Sequence, residues 1–274
     1  MSNRLLPIPA NLEKSVPLTD SDRLFTFLCE TLPPVAPGQF IEVSIPGVGG
    51  FPVSVCDLSR DARVFACIRR AGRVTSALFG LAPGAALGLR GPFGKGFDPA
   101  LFKDRDVLLV AGGLGLAPLH ALLAALLQSG HSQRLILLYG ARNPSSLLFA
   151  EELGRMTAEG GLEVSFAVDA ADDWQPRAGG IPCRLGLVTS LLDGLELQPD
   201  RTTAVVSGPP AFYRGALEKL DSLGLSPEKI LATLERRMRC GIGECCHCVT
   251  GGVYLCQEGP VFSLAQLRRI EGAI

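Results

Sequence analysis

Four cysteines near the end of the chain have the spacing of ligands for an iron–sulfur cluster. They are Cys240, Cys245, Cys248 and Cys256, in the pattern C-x4-C-x2-C-x7-C. With the first two intervals, one loop can supply three of the four thiolates that hold a 2Fe–2S cluster. Thiolates are soft ligands that suit such clusters, and the glycines between them let the loop curl with backbone N–H groups directed at sulfur. The pattern therefore predicts a 2Fe–2S site at these residues.

A structural zinc site and a redox-active dithiol are the alternatives for the same cysteines. Zinc sites of this kind usually combine two C-x2-C knuckles, and this loop contains one, from Cys245 to Cys248. The spacing favours iron–sulfur and leaves the other two open. Cys246 and His247 lie between ligands, and we expect them to face outward because neighbours of a ligand in a tight loop point elsewhere.

A glycine-rich turn earlier in the chain has the features of a pyrophosphate site. It reads A-G-G-L-G-L-A-P over 111–118, between an apolar segment and a predicted helix. Glycine lets the backbone approach a pyrophosphate, whose charge a helix N-terminus stabilises. The turn differs from G-x-G-x-x-G in its last position, and no acidic residue closes the following strand. The predicted cofactor-binding residues here are Gly112, Gly113, Gly115, Ala117 and Pro118.

A second turn of this type follows a later apolar segment, at Gly208, Pro209 and Pro210. In an open parallel sheet such turns gather at the carboxyl ends of the strands, where ligands bind. The two turns together therefore predict one dinucleotide site. Arg142, after the second predicted strand of this region, can contact a ribose or a 2′-phosphate, or it is an exposed loop arginine.

The composition limits the class of protein. The chain has 274 residues, 47% of them hydrophobic and 19% charged, which excludes wholesale disorder and predicts two domains with a small appendage. A net charge of −1 without a basic stripe argues against nucleic-acid binding. The basic run at Arg236, Arg237 and Arg239 indicates a solvated face, a docking patch or a counter-charge to an anionic cluster.

Cysteine usage and hydropathy predict a cytoplasmic protein without a membrane span. Four of the nine cysteines are scattered outside the loop, which suits reduced thiols. The N-terminus has too short an apolar run for a signal peptide. Residues 107–127 are long and apolar enough to cross a bilayer, but their glycines and Pro118 favour a buried strand, a turn and a helix. His120 lies on that helix, and we expect it to pack rather than to catalyse.

Two kinds of secondary structure must position these motifs. Short strands separated by Gly/Pro turns, with a helix over 74–81, predict an antiparallel barrel or sandwich up to about residue 94. Strands and helices then alternate, which predicts a parallel sheet; this part includes a helix over 185–193 and a surface loop over 169–182. The predicted architecture is a β-domain over 1–102, an α/β-domain over 103–233 and a metal-binding extension over 234–274.

The order of these motifs resembles the ferredoxin-reductase superfamily. It is most similar to the branch with a C-terminal 2Fe–2S loop, which includes electron-transfer subunits of dihydroorotate dehydrogenase, the equivalent flavoprotein subunits of anaerobic sulfite reductase and gamma subunits of NAD(P)-linked nickel–iron hydrogenases (sulfhydrogenases). The resemblance covers nearly the whole chain. It rests on the turn over 111–118, Y-G-A-R over 139–142, G-P-P-x-x-Y over 208–213, L-E-R-R-M-R-C-G-I-G over 234–243 and Y-L-C-Q-E-G-P-V-F over 254–262.

The resemblance implies FAD in an antiparallel barrel formed by the β-domain. Residues 51–55 match the family's Arg-x-Tyr/Ile-Ser strand along the flavin, with Phe51 where an arginine normally meets the pyrophosphate. Ser54 is the implied hydrogen-bonding residue near the reactive flavin nitrogen. The second flavin motif matches residues 69–76, where a helix start can face phosphate and Arg69 or Arg70 can supply the missing charge. The implied flavin residues are Phe51, Pro52, Val53, Ser54, Arg69, Gly72, Val74 and Thr75.

The resemblance also implies an electron-transfer function. NAD(P)H bound by the α/β-domain would reduce FAD, and the electrons would pass singly through the 2Fe–2S cluster to or from catalytic and iron–sulfur subunits of a multi-subunit redox complex. The favoured interpretation is the gamma subunit of a cytosolic NAD(P)-linked nickel–iron hydrogenase, and the alternative is the NAD(P)H-oxidising subunit of an anaerobic sulfite reductase. A third interpretation, suggested by the missing arginine at Phe51, is a regulatory or structural subunit with degenerate cofactor sites. NAD or NADP, and the direction of electron flow, remain open.

Overall fold

The computed structural model of this chain describes residues 5–130, 132–170 and 177–273. The chain forms two compact units. The first contains Met1–Phe97, His120–Ala125 and Leu234–Val261, and the second contains Asp98–Leu119, Leu126–Thr233 and Phe262–Ile274. The three-part division by cofactor expected from the sequence stays a prediction. None of the described helices combines the length and the apolar character that a membrane span requires.

An antiparallel sheet dominates the first unit. Its strands are β1 (Ile8–Pro17), β2 (Asp22–Leu28), β3 (Phe40–Ile45), β4 (Gly49–Ser54), β5 (Arg63–Arg69) and β6 (Ala86–Phe93). They lie in the order β4-β3-β6-β1-β2-β5, with antiparallel pairing between neighbours. Just after β4, the backbone N–H of Cys56 donates to the Phe65 carbonyl of β5 at 2.9 Å. The expected antiparallel β-domain is confirmed, and β1 is an additional strand.

Alternation along the strands fills the core of this unit. In β3, Ile41, Val43 and Ile45 are buried, whereas Glu42 and Ser44 between them are partly exposed. Successive side chains of a strand point to opposite faces, so the apolar set faces inward. Between β5 and β6 lies the expected helix, α1 (Arg73–Phe79), whose Leu78 is fully buried in the same core.

A mostly parallel sheet organises the second unit. Its strands are β7 (Arg105–Gly112), β8 (Ser132–Ala141), β9 (Glu163–Val168), β10 (Arg177–Ala178), β11 (Ile181–Leu185), β12 (Thr202–Ser207) and β13 (Ile230–Thr233), followed by β16 (Val261–Ser263) at the edge. The order is β10-β11-β9-β8-β7-β12-β13-β16; the six strands from β11 to β13 in this order pair with one another in parallel, and β10 pairs antiparallel with β11. Chain order reverses between β7 and β12. That reversal is the topological switch point at which open sheets of this kind bind ligands.

Helices connect the parallel strands. They are α2 (Leu116–Ser129), α3 (Ala150–Glu159) and α4 (Pro210–Ser222), and near the C-terminus lie β14 (Val249–Thr250), β15 (Val253–Tyr254), α5 (Leu255–Glu258) and α6 (Leu264–Leu267). The apolar segment over 107–127 divides into β7, a short 3-10 turn at Gly113–Gly115 and α2. The interpretation as strand, turn and helix is therefore confirmed.

Two local predictions are wrong. The helix expected over 185–193 is a strand end followed by a 3-10 helix, Val188–Leu192, because Gly186 at φ 128° cannot continue a helix. The loop expected over 169–182 contains a hairpin, in which β10 and β11 meet around Gly179 and Gly180 at φ 54° and 80°. A Gly-Gly pair is a hairpin signal in its own right. Residues 171–176 of that expected loop lie outside the described part of the chain.

An ion pair with a buried carboxylate joins β2 to β5: the Asp22 side chain is 1% exposed and the Arg69 side chain 44%. Arg69 donates from Nε and Nη2 to the two carboxylate oxygens of Asp22 at 2.8 and 3.0 Å. The hydroxyls of Thr19 and Ser21 donate to Asp22 Oδ2 at 2.8 and 2.9 Å. Burial alone would raise the pKa of Asp22, but these hydrogen bonds outweigh it and hold the pKa below its ordinary value.

We expect Asp22→Asn to lower the free energy of unfolding by about 2 kcal/mol at pH 7, which is a typical contribution of a hydrogen bond to a charged group. Because the folded-state pKa of Asp22 is depressed, this stability is present above the unfolded-state pKa of about 4 and is lost as the pH falls through the folded-state pKa. Urea unfolding at pH 7 and pH 3 measures both effects. The control is Glu13→Gln, which disrupts a similar bidentate pair with Arg63 in which the carboxylate is 34% exposed instead of 1%. Equal losses in the two variants would contradict the role of burial.

Candidate functional site

The first cysteine of the loop receives several backbone N–H groups. The N–H groups of Ile242, Glu244 and Cys245 point at Cys240 Sγ, at 3.5, 3.4 and 3.4 Å. Successive amides that converge on one acceptor form an anion-binding concavity. The curl predicted from the glycines therefore has an electrostatic consequence, because it directs partial positive charge at the sulfur of a predicted cluster ligand.

The four sulfur atoms are grouped in two pairs. Backbone hydrogen bonds from His247 and Cys240 lower the pKa of the Cys245 thiol to about 7, and the Cys240 side chain also bonds to this sulfur. Burial raises the pKa of the Cys256 thiol to about 12, and a hydrogen bond with Cys248 adds to that effect. Cys240 is thus paired with Cys245, and Cys248 with Cys256.

This pairing fits a two-iron cluster. When four cysteines hold a 2Fe–2S cluster, each iron takes two thiolates, so two neighbouring pairs are the required donor set. Two neighbouring pairs of thiols are the donor arrangement that the C-x4-C-x2-C-x7-C spacing predicts for iron–sulfur, and the four ligands stay a prediction.

A hairpin explains the short interval before the fourth cysteine. β14 and β15 pair through Thr250 and Val253 around Gly251 and Gly252, whose φ angles are 52° and 80°. Positive φ at both central residues is the geometry of a two-residue type I′ turn, which glycine adopts without strain. The chain leaves Cys248, reverses through this hairpin and places Cys256 in α5, so seven intervening residues are enough.

Two side chains inside the loop face outward, as expected. Cys246 and His247 are exposed, and the Cys246 sulfur lies 3.4 Å from the Tyr254 hydroxyl. His247 Nδ1 contacts the Cys245 carbonyl at 2.9 Å. Gln257 of α5 donates from Nε2 to the Ile242 carbonyl at 2.6 Å, so the helix that carries the fourth cysteine also braces the turn that carries the first.

A cleft of about 410 Å³ lies at the switch point of the parallel sheet. It is lined by Gly112, Gly113, Gly140, Ala141, Arg142, Asp169, Leu187, Val188, Thr189, Pro209, Ala211, Phe212 and Gly215. The structure thus brings together four of the predicted nucleotide-site residues, from three separate turns. Three further lining residues, Leu187, Asp169 and Phe212, were not predicted from the sequence. Asp169 could have been proposed, because it is an acidic residue directly after an apolar strand, β9.

The two glycine turns are locked together by backbone contact. A Cβ atom at Gly115 would overlap the Ser207 carbonyl and the Gly208 amide, and one at Gly112 would lie 3.3 Å from Pro209 and from the ring of Phe212. These glycines therefore allow the close approach of the two turns.

A buried hydroxyl network supports the second turn from below. Tyr213 donates to the Thr233 carbonyl and accepts the Gly208 N–H at 3.3 Å. The Thr233 hydroxyl donates to Ser207 Oγ at 2.8 Å. The other predicted residues of the site lie around these turns: Gly115, Ala117 and Pro118 are buried at the start of α2, and Pro210 is exposed at the first position of α4.

The predicted flavin strand is β4, where the four residues are all partly exposed. Phe51 and Val53 pair with Val43 and Ile41, and they pack against the core of the first unit. Pro52 and Ser54 therefore point to the opposite face. Among the described residues, the Ser54 hydroxyl has no hydrogen-bond partner.

The second flavin motif forms the start of α1. The Thr75 hydroxyl accepts the backbone N–H groups of Ala71 and Gly72, both at 3.0 Å, and so caps the helix. Val74 packs against the core, and a Cβ at Gly49 would lie 3.4 Å from it. Arg73 donates from Nη2 to the Val48 carbonyl at 2.7 Å. The start of α1 is thus held beside the start of β4.

Arg69, proposed from the sequence as a pyrophosphate partner, is bound through both its Nε and Nη2 to Asp22. His120 is 3% exposed, and its Nδ1 contacts the Cys56 carbonyl at 2.7 Å. This placement matches the expected packing role for His120. Both His120 and Cys56 belong to the first unit.

Comparisons with known proteins agree with this organisation. Residues 109–218 match the oxidoreductase NAD-binding domain family, and residues 235–268 match the iron–sulfur cluster binding domain of dihydroorotate dehydrogenase B. The chain is similar in fold to the NADH-dependent reduced ferredoxin-NADP oxidoreductase, with a TM-score of 0.75 at 20% identity over 99% of this chain and 91% of that one. A ferredoxin NADP+ reductase from Neisseria gonorrhoeae gives a TM-score of 0.70 at 16% identity, over 82% and 96%.

Curated relatives match at higher identity. Sulfhydrogenase 2 subunit gamma of Pyrococcus furiosus is 36% identical over 83% of this chain and 82% of its own length, and sulfhydrogenase 1 subunit gamma of the same organism is 37% identical over 90% and 87%. Its probable dihydroorotate dehydrogenase B electron transfer subunit is 32% identical over 86% and 82%. The chain belongs to the oxidoreductase family that includes sulfhydrogenase gamma subunits and dihydroorotate dehydrogenase B electron transfer subunits.

Proposed function

We propose that this chain is the gamma-type subunit of a cytosolic nickel–iron hydrogenase complex, passing electrons between NAD(P)H, FAD and a 2Fe–2S cluster and a partner subunit. The observation that carries the proposal is the presence, in one chain, of a cleft at the sheet switch point lined by the predicted nucleotide-binding turns and of four cysteines in a glycine-rich loop with backbone N–H groups directed at Cys240 Sγ. The identities of 36% and 37% with two sulfhydrogenase gamma subunits favour the hydrogenase assignment.

Each part of the chain has a separate task in this function. The two glycine turns hold the pyrophosphate of the nucleotide, β4 and the start of α1 hold the flavin, and the four cysteines hold the cluster. A bound flavin supplies the conversion between a two-electron hydride and single electrons. Ser54, on the face of β4 opposite to the core, is placed to donate a hydrogen bond to the flavin ring. The reaction with hydrogen is assigned to a partner subunit.

The test is purification of the native complex under anaerobic conditions through a tag on this chain. We expect nickel, flavin and more iron than one 2Fe–2S cluster accounts for, together with hydrogen-dependent reduction of NAD(P). Metal analysis, the flavin absorption spectrum and that assay measure the result. Sirohaem without nickel would contradict the hydrogenase assignment and indicate a sulfite reductase. A chain without flavin or NAD(P)H oxidation would indicate a structural subunit.

The variant Cys245→Ser tests whether the cluster lies after the flavin in the path of the electrons. It should lose nearly all the iron of the purified chain, because a ligand of the cluster is gone, while NAD(P)H still bleaches the flavin absorption. Cys246→Ser changes an exposed neighbour and should keep both properties. Retention of the cluster in Cys245→Ser, or its loss in Cys246→Ser, would show that the ligand set is wrong.

We assign the positive charge that the flavin pyrophosphate requires to Arg73. Phe51 occupies the usual arginine position, and Arg69 is bound to Asp22. Arg73 lies beside the beginning of β4, where it donates to the Val48 carbonyl. Arg70, the remaining candidate, lies with its guanidinium 6.0 Å from the Phe79 ring.

Replacement of this arginine should weaken flavin binding. We expect Arg73→Gln to raise the FAD dissociation constant roughly tenfold, the equivalent of one charged hydrogen bond. Flavin fluorescence released on dilution measures the constant. Arg70→Gln is the matched control and should change it little; the opposite ranking of the two variants would reject Arg73 as the pyrophosphate partner.

Two charged residues in the cleft should decide between NAD and NADP. Asp169 and Arg142 both line it, and hydrogen bonds from Asp169 N to the Ala141 carbonyl (3.1 Å) and from Ala170 N to the Arg142 carbonyl (2.9 Å) join the ends of β8 and β9 there. A carboxylate accepts a hydrogen bond from the ribose 2′-hydroxyl and repels a 2′-phosphate, whereas an arginine attracts that phosphate.

We therefore expect opposite changes in nucleotide preference. Asp169→Ser should raise the ratio of kcat/KM for NADPH to that for NADH by roughly tenfold, and Arg142→Ala should lower it by a similar factor, each the size of one charged contact. Steady-state kinetics with an artificial acceptor measure both ratios. If neither variant changes the ratio, the adenosine end of the nucleotide does not lie between these residues.

A further inference from the structure

A buried arginine of β6 links the sheet of the first unit to the cysteine loop. Arg90 is 7% exposed, and it forms a close ion pair with Glu42 of β3, to which its Nε also donates at 3.2 Å. Its Nη1 donates to the Cys240 carbonyl at 2.9 Å, and its Nη2 donates to the Arg239 carbonyl at 2.7 Å. One guanidinium therefore bonds to a carboxylate and to two successive peptide groups, the second of which belongs to a predicted cluster ligand.

The surroundings of Arg90 fix the same turn by packing. Phe93, three residues further along β6, lies with its ring 5.5 Å from the Arg90 guanidinium. A Cβ atom at Gly241 would lie 2.9 Å from that ring, and Gly241 has φ 74°. The Cys240 peptide is thus held by the Arg90 hydrogen bonds, and the next residue, Gly241, packs against the Phe93 ring with no room for a Cβ atom.

The other end of the loop is attached to the same strand. Just beyond β6, the Lys95 N–H donates to the Gly259 carbonyl at 2.6 Å, and Lys95 forms a bridge with Pro260. A Cβ at Gly94 would lie 2.8 Å from the Pro260 ring. Both ends of the cysteine loop are therefore attached to β6 and the residues that follow it.

An ion pair that is largely buried, with Arg90 7% and Glu42 16% exposed, needs a reason other than stability. Removing two charges from water costs several kcal/mol, and replacement by apolar side chains is often neutral or stabilising. The direction of the Arg90 hydrogen bonds suggests the reason, because they orient the peptides from which the Cys240 turn begins. They also place a full positive charge beside a site whose net charge becomes more negative by one when it accepts an electron.

We propose that Arg90 positions Cys240 and raises the reduction potential of the cluster, while Glu42 orients Arg90 and offsets part of its charge. Net charge near the cluster and hydrogen bonding around its ligands are the terms that set such potentials. The inference deepens the proposed function, because it rests on a 2Fe–2S cluster at these four cysteines. Glu42 is also paired with Pro52 of β4, so the same ion pair lies directly beside the predicted flavin strand.

The test compares Arg90→Met, Arg90→Lys and Glu42→Gln by EPR-monitored redox titration of the purified, cluster-containing chain. In Arg90→Met, the ratio of reduced to oxidised cluster at a fixed potential should fall at least tenfold, equivalent to 59 mV for a one-electron couple. Arg90→Lys keeps the positive charge, so the ratio of reduced to oxidised cluster should fall less than in Arg90→Met. Glu42→Gln removes a negative charge and should shift the ratio upward. Arg63→Met, which breaks the separate Arg63–Glu13 pair of the same unit, should leave it unchanged.

The signs of these shifts separate an electrostatic role from mere packing. Shifts in the same direction for Arg90→Met and Glu42→Gln, or unchanged potentials in all variants, would overturn the proposal. If Arg90→Met assembles no cluster, positioning is supported, and the potentials of the other two variants decide the electrostatic part. The titration uses chemical reductants and needs neither NAD(P)H nor a partner. A cluster with shifted potentials in a chain that does not oxidise NAD(P)H would therefore contradict the proposed function alone.

Discussion

The cysteine loop depends on a strand to which it is not adjacent in sequence. Its own regular structure consists of the short β14–β15 hairpin and the single turn of α5. An anionic site needs its sulfur atoms fixed in two pairs, with N–H groups directed at them. The loop obtains this rigidity from β6, through the hydrogen bonds of Arg90, the ring of Phe93 and the backbone of Lys95. The loop and the predicted flavin strand consequently belong to one compact unit.

The nucleotide cleft relies on close approach of backbones. Gly115 allows the first turn to touch the Ser207–Gly208 peptide, and the hydroxyls of Tyr213 and Thr233 hold that peptide from the other side. The walls of the cleft are therefore fixed by buried contacts. Two charged residues, Arg142 and Asp169, also line the cleft. In the proposed function they discriminate between the nucleotides, whereas the glycine turns bind the pyrophosphate.

The arginines of the first unit have separate roles that their spacing in the sequence does not reveal. Arg69 neutralises a buried carboxylate, Arg73 donates to the Val48 carbonyl just before β4, and Arg90 contacts the cysteine loop. Each contact follows from the strand or helix that carries the side chain. In the proposed function, the charge that Phe51 lacks comes from Arg73 of α1.

The sequence alone determined the features that depend on residue type and short spacing. The C-x4-C-x2-C-x7-C pattern indicated the donor set, the two glycine turns indicated a dinucleotide site, and the change from short strands to alternating strands and helices indicated two architectures. The sequence did not predict β1, and it wrongly predicted a helix over 185–193. Gly186 ends the strand there with a φ of 128°, a conformation that the apolar pattern of the sequence does not reveal.

Only the tertiary structure decided which distant groups meet. Arg90 and Cys240 are separated by 150 positions, and their hydrogen bond exists because β6 lies beneath the loop. Asp22 and Arg69 meet through the register of β2 and β5. Local patterns carry information about backbone conformation and ligand chemistry over a few residues. The partners of a buried charge are set by strand pairing and packing, which no short stretch of sequence contains.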